Sequence, residues 1–141
     1  MKYFFDTSVL VSVALLNDSR HGTSLSAYLR ADPKTACCAA HSLAEIYATL
    51  TRLPGNHRLA ADQALLFLDE IRSRLQIIAL DSVEYYECIK SAVAEDIVGG
   101  TIYDMLLARC AVKVGAEVIY SWDARDFARL GQEIAKRVTT P

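Results

Sequence analysis

Absent from this 141-residue chain is any pair of cysteines spaced as Cys-x-x-Cys. Its four cysteines, Cys37, Cys38, Cys88 and Cys110, lie in segments that otherwise read as regular structure, so buried reduced thiols are expected in place of a zinc site or a disulfide frame. Histidine is scarce as well. His21, His41 and His57 share no ligand spacing, His41 just before a helix reads as a loop or core residue, and none is a candidate general base. Neither charge dominates, and a formal net charge of −2 excludes a protein that holds nucleic acid by bulk electrostatics; any such contact must be local or assisted by metal ions. Although 52% of the residues are hydrophobic and the mean hydropathy is +0.19, no apolar run approaches the ~18 residues of a membrane span, so no membrane association is expected. The N-terminal end passes from a single Lys into a strand pattern, without the charged region, apolar stretch and cleavage site of a signal peptide, which predicts a cytoplasmic location. Repeats, low-complexity tracts and linkers are also missing, and one domain over residues 1–141 is expected.

What is present alternates strand and helix patterns. Lys2 to Phe5 reads as a strand running into Asp6, and Ser8 starts a run at helical spacing through Val9, Leu10, Val13 and Leu16. Asn17 to Ser19 make a turn, and a second helix is predicted over Arg20 to Ala31. A short buried strand, Thr35 to Ala39, precedes Ser42-Leu-Ala-Glu45, which has the form of a capping box opening a helix with the stripe Leu43, Ile46, Tyr47, Leu50. Leu53-Pro54-Gly55-Asn56 ends it. A helix over Arg58 to Arg74 leads to a buried strand, Leu75 to Leu80, and Asp81-Ser-Val-Glu84 is a second capping box starting a helix with Tyr86, Ile89 and Val93 inward. Thr101-Ile-Tyr-Asp104 has the form of a third, and the helix behind it is apolar on nearly every side through Val114, as expected of an element packed in the middle. Glu117 to Tyr120 is a fourth strand, followed by Ser121-Trp122-Asp123, a short helix to Leu130 and an edge strand around Ala135 to Val138. Strands separated by crossover-length helices predict an α/β fold, an α/β/α sandwich around a parallel sheet of four or five strands.

In such a sheet, ligands bind outside the carboxyl ends of strands at the point where the strand order reverses. Asp6 follows strand one and Asp123 follows strand four, while Glu45 and Asp104 open the helices between them. If strands one and four are neighbours, all four acids meet in the crevice. Each also has a structural reading. Asp6 can cap the helix after it, Glu45 and Asp104 sit where a helix dipole favours a carboxylate, and Asp126 can cap or form a salt bridge. Leu107, Ala108 and Ala111 share the Asp104 face, which argues that its carboxylate heads a buried stripe. Several carboxylates together without a cation are unfavourable, and an all-oxygen donor set suits Mg²⁺ or Mn²⁺. An ion of that kind activates water against a phosphodiester, so phosphodiester hydrolysis is the chemistry expected.

The order of these pieces resembles the PIN-domain family, and within it the VapC-type ribonuclease toxins of toxin–antitoxin pairs. The matching segments are Phe5-Asp6-Thr7-Ser8, Glu45 opening the third helix, Ile102-Tyr103-Asp104 with Leu106 to Ala108, and Ser121-x-Asp123-x-x-Asp126-Phe127. The resemblance implies a Mg²⁺- or Mn²⁺-dependent endoribonuclease with Asp6, Glu45, Asp104 and Asp123 in its acidic pocket and Asp126 as a more variable member. It implies RNA as substrate and an antitoxin protein as partner; apolar residues on the outer helices suggest a homodimer. Trp122 departs from the pattern, since Asn often precedes the fourth acid. It reads either as packing against a helix or as a platform for an RNA base. Thr7, Ser8 and Ser121 stand beside the acids, and Ser8 is expected to cap the first helix. Arg52 and Arg58, with Asn56 and His57, form a loop cluster near the mouth of the groove that can hold RNA phosphates or simply be solvated. Two rival readings use the same acids. A phosphotransferase with Asp6 as nucleophile wants a second Asp where this chain has Ser8, and a non-catalytic metal- or RNA-binding module would hold an ion without cutting. An RNA-processing PIN nuclease is the alternative within the family.

Overall fold

In the computed structural model of the chain, which describes residues 1–141, five short strands form one parallel sheet. They are β1 (Tyr3–Phe5), β2 (Ala36–Ala39), β3 (Gln76–Ile78), β4 (Val118–Tyr120) and β5 (Val138–Thr139), in the order β3-β2-β1-β4-β5. The central position of β1 follows from its pairing, Tyr3 opposite Ala36 on one side and Val118 on the other. The chain winds outward from β1 through β2 to β3 and separately from β4 to β5, so the strand order reverses between β1 and β4.

Successive side chains of a strand point to opposite faces, and the two core layers follow from that alternation. Phe5, Ala36 and Cys38 face one layer, while Phe4, Cys37 and Ala39 face the other. The first layer is closed by α1 (Thr7–Ala14), α2 (His21–Leu29), α3 (Ala40–Arg52) and α4 (Ala61–Arg74), through Val9, Leu10, Tyr28, Ile46, Leu50 and Ile71. The second is closed by α6 (Thr101–Lys113), α7 (Ala124–Ala128) and α8 (Gln132–Ala135), through Leu107, Ala111, Phe127 and Ile134. Helix α5 (Ser82–Ala94) lies outside α6 and packs on it by Cys88 and Ala92. All four cysteines are buried and unpaired; burial pushes the Cys37 thiol up to about 12 and Cys110 up to about 11, so they act as small hydrophobes. No helix is long and apolar enough to cross a membrane.

Several local expectations are corrected. Helix α1 ends at Ala14, leaving Leu16 exposed, and α2 spans His21 to Leu29 instead of Arg20 to Ala31. Strand β2 runs directly into α3 with Ala39 at the N-cap, so Ser42 is already the third helical residue, Glu45 lies in the second turn, and His41 is part of the helix. Gly100 is the N-cap of α6, which moves Asp104 one position past that of a capping box. The Asp81–Glu84 box does form, with Glu84 N donating to Asp81 Oδ1 at 2.8 Å and Asp81 N to Glu84 Oε1 at 3.0 Å. Helix α4 starts at Ala61, β3 is an edge strand of three residues, and Ala135 belongs to α8 instead of the last strand. Tyr86, Ile89 and Val93 are exposed, because α5 packs on α6 and turns the arc of Cys88 and Ala92 to it. Tyr47 and Leu65 likewise fall outside the buried arcs of α3 and α4.

Replacing Asp81 by Ala removes the one capping box of this kind and is expected to cost about 1 kcal/mol. Urea unfolding should show a lower midpoint at unchanged slope.

Candidate active site

The carboxyl ends of β1 and β4 frame an open cavity of about 320 Å³ lined by Asp6, Glu45, Asp104 and Asp123, together with the hydroxyls of Thr7 and Ser8. The fold brings all four predicted acids to one place. Asp6 leaves β1 as the N-cap of α1, yet its side chain caps nothing. It is 3% exposed, and its Oδ2 accepts two hydroxyl hydrogen bonds, from Ser8 Oγ and Ser121 Oγ, each at 2.7 Å. Both serine hydroxyls go to the same oxygen, so no side chain donates to Oδ1, and the residue lines the cavity.

Both serines also hold the segment that follows β4. Ser8 Oγ accepts from Trp122 N at 3.0 Å, and Ser121 Oγ accepts from Asp123 N at 2.9 Å. Ser8 is therefore the second helical residue and a clamp on Asp6, in place of the helix cap expected. On the other wall, Thr7 Oγ1 donates to Glu45 Oε1 at 2.9 Å and hydrogen bonds Ser42 Oγ at 3.0 Å. The His41 ring stacks on Tyr103 with centroids 5.3 Å apart, and its Nε2 is 4.0 Å from Glu45 Oε1.

The electrostatics are those of crowded anions. Burial raises the Asp6 carboxyl above its ordinary range, opposed by the two serine hydroxyls, and the charge of Asp123 adds to the rise. Asp104, half-buried, is pushed up to about 6 by burial and then by the charges of Asp6, Asp123, Asp126 and Glu45. No three Asp, Glu, His or Cys side chains are drawn together as a ready-made metal cage. The donor set nevertheless fits a hard divalent cation, since it is oxygen throughout and carries surplus negative charge; few-carboxylate sites for such ions are completed by water.

The remaining candidates separate. Asp126 is exposed, does not line the cavity, and lies 3.9 Å from Arg129 Nη1, although its charge reaches Asp104. Trp122 is half-buried against the first core layer, its Nε1 donating to Ser24 Oγ at 2.8 Å. Arg52 and Arg58 are not among the residues that line the acidic cavity, and Arg58 Nε donates to Leu53 O at 2.9 Å. Their neighbour His57 lines a separate apolar cavity of about 480 Å³ between the end of α1 and the Pro54 loop. Arg20, Asp18, Ser12 and Thr49 line the acidic cavity without any sequence motif marking them; only the packing of α1 on α2 and α3 places them there.

A family model described as "PIN domain" matches residues 3–133. The ribonuclease VapC40 of Mycobacterium tuberculosis is 33% identical over 114 residues, 81% of each chain. Among solved structures, the fold matches the Mycobacterium tuberculosis toxin VapC20, described as cleaving the sarcin–ricin loop, with a TM-score of 0.71 at 19% identity over 89% of this chain and 92% of that one. It also matches the DNA-bound VapBC of Salmonella typhimurium, with a TM-score of 0.68 at 17% identity over 99% and 98% of the chains.

Because Asp104 is raised from 3.8 to about 6 on folding, the folded chain holds more protons than the unfolded one across that window. The contribution of this group to stability is therefore present below the lower value and lost as pH rises through about 6. Melting in chelator between pH 4 and 8 should show Asp104→Asn gaining on wild type as pH rises, by a few degrees at pH 8. Parallel profiles would contradict the charge crowding.

Proposed function

The chain belongs to the PIN-domain family, and from that membership we propose that it is a divalent-metal-dependent endoribonuclease, the toxin of a toxin–antitoxin pair. The observation that carries the reading is the buried Asp6 carboxylate, tied by two serines through one oxygen and lining a cavity with four more acids, Asp18, Glu45, Asp104 and Asp123. RNA is the substrate, as the names of the ribonuclease relatives support. An antitoxin protein is the partner, by analogy with the VapBC complexes that share the fold. A single cytoplasmic domain that pairs with itself completes the proposal.

Asp6, Asp104 and Asp123 would hold Mg²⁺ or Mn²⁺, and Glu45 would join them or orient the attacking water. The bound ion supplies an acidified water and charge compensation for the phosphoryl oxygens. The protein's part is orientation. Thr7 fixes Glu45 from one side, Ser8 and Ser121 fix Asp6 from the other, and the backbone N–H of Asp123 is anchored to Ser121. Outer hydrogen bonds of this kind hold ligand carboxylates in a geometry that a loose side chain would leave to chance. Asp126 serves as an outer acid, tuning the charge of Asp104 without lining the cavity.

Cleavage of a single-stranded or looped RNA should require Mg²⁺ or Mn²⁺ and stop in chelator. Asp6→Asn keeps the acceptor for both serines while removing the charge, and should reduce cleavage by about 10³-fold, the several kcal/mol that a ligating charge supplies. Mg²⁺ should raise the melting temperature of wild type more than that of the variant. Full activity of Asp6→Asn would refute the assignment.

A further inference from the structure

Arg20 is the one cationic side chain lining the acidic cavity, where it faces Asp6, Asp18, Glu45, Asp104 and Asp123. Despite that company its guanidinium forms no ion pair within 4.0 Å. It lies instead over the ring of Trp122, 5.3 Å from the centroid. Trp122 is held through ring and backbone: Nε1 donates to Ser24 Oγ at 2.8 Å, and the backbone N donates to Ser8 Oγ at 3.0 Å, the same hydroxyl that donates to Asp6. The backbone of Arg20 is fixed too, its N donating to Asp18 Oδ1 at 2.7 Å.

The Arg20 guanidinium has no hydrogen-bond or ion-pair partner besides the ring, so its donors are free, and those donors match the paired oxygens of a phosphate. Stacking on the indole thus does two things. It holds the cation in an acidic cavity without letting a carboxylate capture it, and it leaves the fork open to a ligand. One divalent ion offsets only part of the charge of the five acids that line the cavity, so an entering phosphodiester is still repelled, and a cation on the protein lowers that repulsion where its non-bridging oxygens arrive. Resting on the ribonuclease reading above, we propose that Arg20 grips the non-bridging oxygens of the RNA phosphodiester at the acidic site, and that Trp122 is a positioning residue acting through Arg20. On this proposal the Trp122 ring serves the Arg20 guanidinium that lies over it and not an RNA base.

The test uses the full chain. Single-turnover cleavage of a single-stranded RNA is measured for wild type, Arg20→Ala, Arg20→Lys, Trp122→Phe, Trp122→Leu and the Arg20→Ala/Trp122→Leu double variant, with melting to verify folding. Binding of fluorescent RNA in Mg²⁺ is measured separately in the Asp6→Asn background, with and without Arg20→Ala. Arg20→Ala should lower kcat/KM by about 10²–10³-fold, the size of loss seen when a donor to developing charge is removed. Lys should restore only part of it, Trp122→Phe should keep most activity, and Trp122→Leu should lose it. The double variant should be no worse than Arg20→Ala, because both changes remove one interaction. The Mg²⁺ concentration for half-maximal cleavage should not rise in Arg20→Ala, since removing a positive charge cannot weaken the hold of the acids on a cation. Unchanged cleavage and binding in Arg20→Ala overturn the assignment. Additive losses in the double variant would put Trp122 on an RNA base, and a raised Mg²⁺ requirement would make Arg20 a prop for the carboxylates; either result defeats it. Absence of cleavage by wild type would instead sink the ribonuclease reading, and the binding arm would then judge Arg20 alone.

Discussion

One buried carboxylate organises the site. Asp6 stands at the end of the central strand, where water is almost excluded, and an ion there is costly unless polar partners replace its hydration. Two hydroxyls do so, one from the helix it introduces and one from the far side of β4, 115 residues away in the chain. The backbone N–H of Asp6 extends the same seam by donating to Tyr120 O at 3.0 Å. The β1–β4 junction is therefore a sheet pairing that continues, beyond the last ladder residue, as a side-chain network. That continuation makes the reversal of strand order a built site and not merely a gap between helices.

The two walls are held by the same device. Thr7, itself hydrogen bonded to Ser42, secures Glu45, while Ser8 and Ser121 secure Asp6 and the start of the Asp123 turn. Short hydroxyl side chains suit this task because each can donate to a carboxylate and accept a backbone N–H at once, with little conformational entropy to lose. The result is a set of anions held closer than they would choose. Their mutual repulsion and burial appear in the raised carboxyl of Asp104, and represent stability given up for a function that needs concentrated charge.

Arg20 and Trp122 show how a local departure from a family pattern becomes intelligible. An indole where a small amide is common looks like a loss of polar contact when the position is considered alone. In the fold the indole N–H satisfies a buried serine of α2, the ring face carries a guanidinium, and the backbone N–H is held by the serine that clamps Asp6. One substitution is thus coupled to three elements.

Much of this was readable from residue order. Aromatic and β-branched runs broken by crossover-length helices imply a parallel sheet, and acids at the ends of two strands and the heads of two helices imply a shared crevice, because both inferences depend only on periodicity and topology. The all-round apolar pattern of α6 likewise reports its central packing. Helix starts were not readable in this way: Ser42 and Asp104 sit in sequences that look like caps, but the strand before α3 and the turn before α6 place the first helical residue elsewhere. Nor could periodicity choose between the two apolar arcs of α5, since the choice depends on its packing on α6. That Arg20 lines the acidic cavity while Arg52 and Arg58 do not was decided only in three dimensions. A cation belongs to a site through the helix that carries it there, and the packing of α2 on α1 is a long-range property that no spacing along the chain encodes.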